Sequence, residues 1–268
     1  LVCLVGSEMC IRDRLDIDHE VPPIDDRRGG SLTARTVLKK FIEQKLNSYH
    51  IDRNHPERQG GSGLSPWLHY GHISSFEIVH EVLESQKWNP MKITPPHNGR
   101  RAGWWGMSEG AEAFLDQVIT WRELGFVYCY EHPDHTSFDT LPEWAKKTLE
   151  EHANDDRPYI YTFEQLEQAE THDPLWNAAQ MQLRKDGIIH NYLRMLWGKK
   201  VLEWCPDPET ACEWLIRLND RWALDGRDPN SYTGIFWIFG RFDRGWFERS
   251  VFGTVSYTHL RAHETHEN

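Results

Sequence analysis

Apolar residues return at helical spacing along most of the chain, and the alternating pattern of a half-buried strand is nearly absent. Val37, Leu38, Phe41, Ile42 and Leu46 form one such run, and Phe76, Val79 and Leu83 form a second, with Ser74 and Ser75 as candidate N-caps. Phe114, Leu115, Val118, Ile119 and Phe126 mark a third. The stretch 141–152 reads as a helix with Pro142 in its first turn. Asp173 and Pro174 open another that runs through Leu183 and stops at Gly187. The segment 188–204 reads as the longest continuous helix, and 208–218 follows it after a short turn. Between 87 and 110, Pro90, Pro95, Pro96, Gly99, Gly103 and Gly106 predict a loop. No internal repeat interrupts this pattern, so the expected fold class is all-α.

Composition narrows what such a fold does. All thirteen tryptophans lie between Trp67 and Trp246. That density suits a large helical core, and it also suits stacking surfaces for a planar cofactor or for bases. The net charge of −11 argues against a body coated in positive charge for DNA. The acid is uneven, however: 131–173 carries twelve Asp/Glu against three Lys/Arg, whereas 194–249 is rich in arginine. A local basic face on an acidic body remains open, because phosphate contact is local. No apolar run approaches the roughly 18 residues of a membrane span. The five cysteines lack metal-type spacing and read as reduced thiols of an intracellular, cytoplasmic protein. The two ends, 1–14 and 255–268, read as adapter-derived, non-native sequence that should pack poorly, leaving 15–254 as the helical domain, truncated at both ends.

Three groups of residues carry chemistry. Trp197 and Trp204 stand seven apart on one expected helix, on one face and about 10 Å apart along its axis. Trp176 sits on the helix that Gly187 folds back against them. Indoles so placed pass an electron by hopping, and they equally read as core tryptophans. Gly61, Ser62, Gly63, Leu64 and Ser65 precede a helical segment and let backbone N–H groups approach a phosphate, or form an ordinary loop. Asp225 to Asn230 makes a polar turn whose carboxylates can neutralise an arginine. His132 with His135, and His69 with His72, have ligand-like spacing, but nothing completes a metal site.

Taken together and in order, the runs HDPLWNA from His172, RMLWGKK from Arg194, LNDRWALDGRDPNSY from Leu218 and the upstream GLSPWLHYGHIS resemble the DNA photolyase/cryptochrome family, closest to class II photolyases. The resemblance covers 15–253. It implies the family's helical FAD-binding domain without the N-terminal α/β antenna domain, acting as a monomer on damaged DNA with no membrane partner. It implies a light-driven lyase in which reduced, excited FAD gives one electron to a flipped-out cyclobutane pyrimidine dimer. By the same resemblance Tyr49, Arg53, Gly61, Ser62, Gly63, Leu64 and Ser65 contact FAD, with Arg194 and Asp225 as a buried pair beside its ring system and Asn219 near its N5. Trp197, Trp176 and Trp204 match a photoreduction chain, in that order outward. Trp121, Met195 and Trp237 line the dimer pocket, while Asn191, Arg244 and Trp246 face DNA.

One position departs from the family. Where it carries a glutamate against the carbonyl edge of the dimer, this chain has Gln117. Glutamine donates through its amide but has no proton to give a radical anion. Asp116, about 100° round an α-helix from Gln117, is a poor substitute. The departure leaves room for a cryptochrome-like photoreceptor or a non-repairing relative. A flavin-free helical binding or scaffold domain, with all its tryptophans structural, is the alternative of another class.

Overall fold

The computed structural model describes residues 14–24, 27–94, 100 and 102–256. Among them the chain is helical and forms no named strand; an isolated antiparallel bridge pairs Arg249 with Gly253. Helices α1 (Ser31–Gln44), α2 (Tyr49–Asp52), α3 (Ser65–His69), α4 (Ser75–Ser85) and α5 (Glu109–Leu115) form the first half. A π-helical turn over Asp116–Trp121 joins α5 to α6 (Arg122–Glu131). Then follow α7 (Glu143–Glu151), α8 (Phe163–Glu167), α9 (Pro174–Asp186), α10 (Asn191–Trp204), α11 (Pro208–Trp222) and α12 (Pro229–Ile238).

Local chemistry places most helix starts. Ser74 caps α4 by accepting from Glu77 N, and Asp173 caps α9 by accepting from Leu175 N and Trp176 N. Asp207 and Asp228 repeat that device, each followed by proline at the first helical position. Gly187 ends α9 in the left-handed region at φ 68°, where a glycine is at ease. Helix α10 begins at Asn191 rather than at 188, because His190 turns the chain and caps it; α11 is therefore longer, at 15 residues against 14. Pro142 is the cap residue of α7 and lies outside its first turn. Two apolar positions also face outward: Phe76 is 86% exposed, leaving Ile78 and Val82 as the buried residues of α4, and Phe126 lies under the Arg122 guanidinium at 4.2 Å.

Two apolar clusters result. Leu38, Phe41, Leu46, Tyr49, Leu64, Trp67, Ile78, Phe114 and Leu115 belong to one. The larger gathers α6 to α12 around Leu183, Trp197, Leu202, Leu215 and Phe236. Val255 is 2% exposed in that core and Ser256 is buried, so packing continues past Thr254 instead of ending there. The rest of both expected non-native ends, apart from Arg14, lies outside the described residues. Burial pushes the Cys205 and Cys212 thiols up to about 12, which keeps them protonated and unreactive at neutral pH. No described helix is long and apolar enough to cross a membrane.

Candidate active site

The segment after α1 turns Tyr49 inward, where its ring meets Phe41 and Phe114 edge-on at 5.6 and 5.3 Å. Burial raises the Tyr49 phenol above its ordinary value, and the Arg53 guanidinium, 5.7 Å from the ring centroid, opposes that rise. His190 hydrogen-bonds the Arg53 backbone while its Nδ1 accepts from Tyr192 N at 3.2 Å, so one imidazole ties the Arg53 segment to the start of α10. Burial holds this imidazole below its ordinary value, favouring the neutral form that the cap requires.

One turn into α10, Arg194 donates through Nη1 and Nη2 to Asp225 Oδ1, both at 3.2 Å. Burial pushes the Asp225 carboxyl up, but Arg194 and the Ser65 side-chain hydrogen bond together outweigh it and hold the group below its ordinary value. The segments around Arg53, Ser65, Arg194 and Asp225 are thereby linked contact by contact, although they are far apart in sequence. Asn219 is 2% exposed on α11 and packs beneath the same turn, where a β-carbon at Gly226 would meet its carbonyl oxygen at 2.8 Å. The loop 61–65 is divided: Gly61 and Gly63 have open space where a β-carbon would stand, Ser62 Oγ accepts from Leu64 N at 3.4 Å, and Leu64 points into the core.

The donor set also has spare capacity. His50 Nδ1, Arg53 Nε and Arg194 Nε are buried without a hydrogen-bond partner among the described residues. Buried polar atoms are normally satisfied, and two guanidinium groups beside an open glycine loop suit an anionic, phosphate-bearing ligand. The residues present fit such a group.

A second set of side chains borders this one. Trp121 and Trp237 lie with ring centroids 5.0 Å apart, and Met195 is half-buried on α10. Gln117 joins Trp121 directly: with its amide oxygen turned toward the neighbouring donors, it accepts from Arg53 Nη1 at 2.8 Å and shares, at 3.2 Å, the Trp121 Nε1 proton with Asp116. Asp116 does not point away as an α-helix would have it. The π-turn brings it to Trp121, whose Nε1 donates to Asp116 Oδ2 at 2.9 Å. Asn191 is exposed at the start of α10, and the exposed Arg244 stacks over Trp246 at 4.5 Å.

The three tryptophans form one connected path. Trp197 and Trp176 are stacked at 6.3 Å with planes 6° apart, and Trp176 meets Trp204 edge-on at 5.6 Å. Each of the first two is pinned: Trp197 Nε1 donates to Gln180 Oε1, and Trp176 Nε1 donates to Trp197 O, both at 3.0 Å. The path does not surface at Trp204, which is 2% exposed. His172, 5.2 Å from Trp204, and Tyr159, stacked on His172 at 3.7 Å, continue it to solvent, with Tyr161 alongside. Sequence reasoning missed these three and Asp116. The only hint is that Tyr159 and Tyr161 alternate on one side of an extended stretch.

No family model matches the chain. A deoxyribodipyrimidine photo-lyase of Potorous tridactylus is 40% identical over 247 residues, 92% of this chain and 43% of that protein. The proteins of the same name from rice and Methanothermobacter thermautotrophicus are 42% and 40% identical, over 89% and 87% of this chain. Among solved structures, a class III photolyase of Agrobacterium tumefaciens (TM-score 0.55, 21% identity, 82% of this chain and 40% of that one) and a Synechocystis cryptochrome (TM-score 0.59, 16% identity, 88% and 44%) share the fold. The fold is thus that of photolyases and cryptochromes. The chain belongs to the DNA photolyase/cryptochrome family, and it spans less than half the length of the curated relatives it matches.

Proposed function

We propose that the chain is the flavin-binding catalytic part of a light-driven enzyme that reverses cyclobutane pyrimidine dimers in DNA. The observation that carries this reading is the contact-linked set of Arg53, Ser65, Arg194 and Asp225 beside the Trp121–Trp237 pair. FAD held there would supply, in its reduced and light-excited form, one-electron chemistry toward the dimer. Arg53 and His50, with the backbone of the Gly61–Ser65 loop, hold its phosphates. The Arg194–Asp225 pair sets the charge beside its ring system, and Asn219 adapts its amide to the redox state. Trp121 and Trp237 wall the extruded dimer, Met195 closes the pocket, and Asn191, Arg244 and Trp246 contact the strand. Trp204, Trp176 and Trp197 would relay electrons from an external reductant at the surface toward that site.

The test is to purify the chain, record flavin absorbance, and assay light-dependent reversal in a thymine-dimer oligonucleotide. Bound flavin with reversal supports the repair enzyme. Bound flavin without reversal favours a photoreceptor-like relative, the reading that Gln117 supports. Purification without flavin, after reconstitution has been tried, returns the tryptophans to a structural role.

A further inference from the structure

Five residues advance about 140° around an α-helix, so side chains at i and i+5 diverge. In a π-turn the i→i+5 backbone bond stacks them instead, and such turns recur at functional sites. Here the turn places Asp116 below Trp121, and the indole N–H donates to the carboxylate at 2.9 Å. A carboxylate acceptor makes this bond about twice as strong as a neutral one. It fixes the plane of the ring that packs against Trp237 at 5.0 Å.

The neighbouring amide is fixed by the same groups. Gln117 faces Arg53 Nη1 at 2.8 Å and, at 3.2 Å, the Trp121 N–H it shares with Asp116, and only the orientation with its oxygen toward both pairs donors with an acceptor. Its NH2 is then the part turned away from Arg53 and Trp121.

We propose that Asp116 and Arg53 are positioning residues of the substrate pocket: by holding Trp121 and the amide oxygen of Gln117, they turn the Gln117 NH2 outward as a fixed, uncharged hydrogen-bond donor for a pyrimidine carbonyl of the dimer. The inference rests on the dimer reading of this pocket. It gives a chemical use to a residue that otherwise looks like a lost acid. The amide donates at every pH the fold tolerates, whereas a carboxyl at 117 donates only while it is protonated.

The experiment uses the full chain in the dark. Binding of a single-stranded thymine-dimer oligonucleotide and of its undamaged counterpart is measured by fluorescence anisotropy, and the Trp121 indole N–H is followed by 15N–1H NMR. Asp116→Ala should move the indole resonance and reduce the preference for the dimer about fivefold to tenfold, the scale of one lost uncharged hydrogen bond. Asp116→Asn, which keeps an acceptor, should retain most of that preference. An unmoved indole resonance in Asp116→Ala overturns the proposal, and so does a moved resonance with unchanged preference. A parent chain without preference for the dimer sinks the dimer reading and the proposal with it. The indole resonance then tells whether the pocket geometry failed as well.

Discussion

Gln180 has no exposed surface, yet both ends of its amide are occupied: Oε1 accepts from Trp197 Nε1 at 3.0 Å and Nε2 donates to Glu167 O at 3.3 Å. Replacing Trp197 with Phe removes the donor and strands a buried acceptor, which costs about 1–3 kcal/mol. We therefore expect Trp197→Phe to lower the stability read from urea unfolding by that amount, and a further Gln180→Leu change to recover part of it. In the flavin-loaded chain the same Trp197→Phe change should abolish photoreduction; photoreduction at the parent rate would return the three tryptophans to the core alone. Charge at single residues sets a separate expectation. His152 sits between Asp155 at 2.6 Å and Glu248 at 3.1 Å, and the Asp155 hydrogen bond leads in raising it above its ordinary value. Its stabilisation is complete below the unfolded value of about 6.5 and is lost as pH rises through the folded one. Asp155 is held at about 2, first by His152 and then by Val251 N, so its share is present above about 3.9 and disappears as pH falls toward that lower value. His190, lowered by burial, works against His152: its share is present above about 6.5 and fades as pH falls. Urea midpoints should accordingly drop more on His152→Ala at pH 6 than at pH 9. An equal drop at both would show that His152 acts only through packing.

Helix α5 is pressed backbone to backbone against the residues before α2, because a β-carbon at Gly110 would meet the carbonyl oxygens of Leu46 and Asn47. On α10, a β-carbon at Gly198 would meet chiefly Ile238 Cδ1, the far end of a flexible side chain. Gly110→Ala should therefore cost about 2 kcal/mol, since backbone cannot yield. Gly198→Ala should come out near neutral, because easy repacking is offset by the roughly 1 kcal/mol that alanine gains over glycine in a helix. Equal urea midpoints for the two variants would refute this account of the α5 contact. The same elements show which features were legible in sequence. Helices with one buried face, such as α1 over Leu38 and Phe41, were readable from their period, and caps at Ser74 and Asp173 were readable from side-chain chemistry. Helix α12 was not read, because Ser231, Tyr232, Thr233, Ile235, Phe236 and Ile238 are all buried and leave no polar face to set a period. Its Asp228–Pro229 start repeats two others in the chain and was the available signal. The π-turn had no signal at all: Asp116 and Gln117 look α-helical until the i→i+5 winding is seen. That is why Asp116, about 100° from Gln117 on an α-helix, reads as a poor substitute although it meets Trp121 in the structure.

At the scale of the molecule, the candidate site draws on both apolar clusters. Tyr49 and Leu64 belong to the smaller, whereas Trp197 belongs to the larger, which Met195 packs against. Besides the Trp121–Trp237 ring contact, the links between the two sides of the site are polar: His190 to Arg53 and Ser65 to Asp225. Polar links of this kind are weak next to the burial within each cluster, so the cleft is where local opening should be easiest. A ligand that touches both sides closes that route, and at a hundredfold excess over its Kd it stabilises the native state by about 2.7 kcal/mol. We expect saturating FAD to slow amide hydrogen exchange in 46–69 and in 191–226 together, by similar free energies. Peptides from α7, away from the named site residues, should change less. The Asp225→Asn variant weakens the link to Arg194 while keeping the shape of the side chain, so it should reduce protection on both sides at once. Protection confined to 46–69 would mean that FAD rests on the glycine loop alone. The assignment of Arg194, Asn219 and Asp225 to the same cofactor would then be withdrawn.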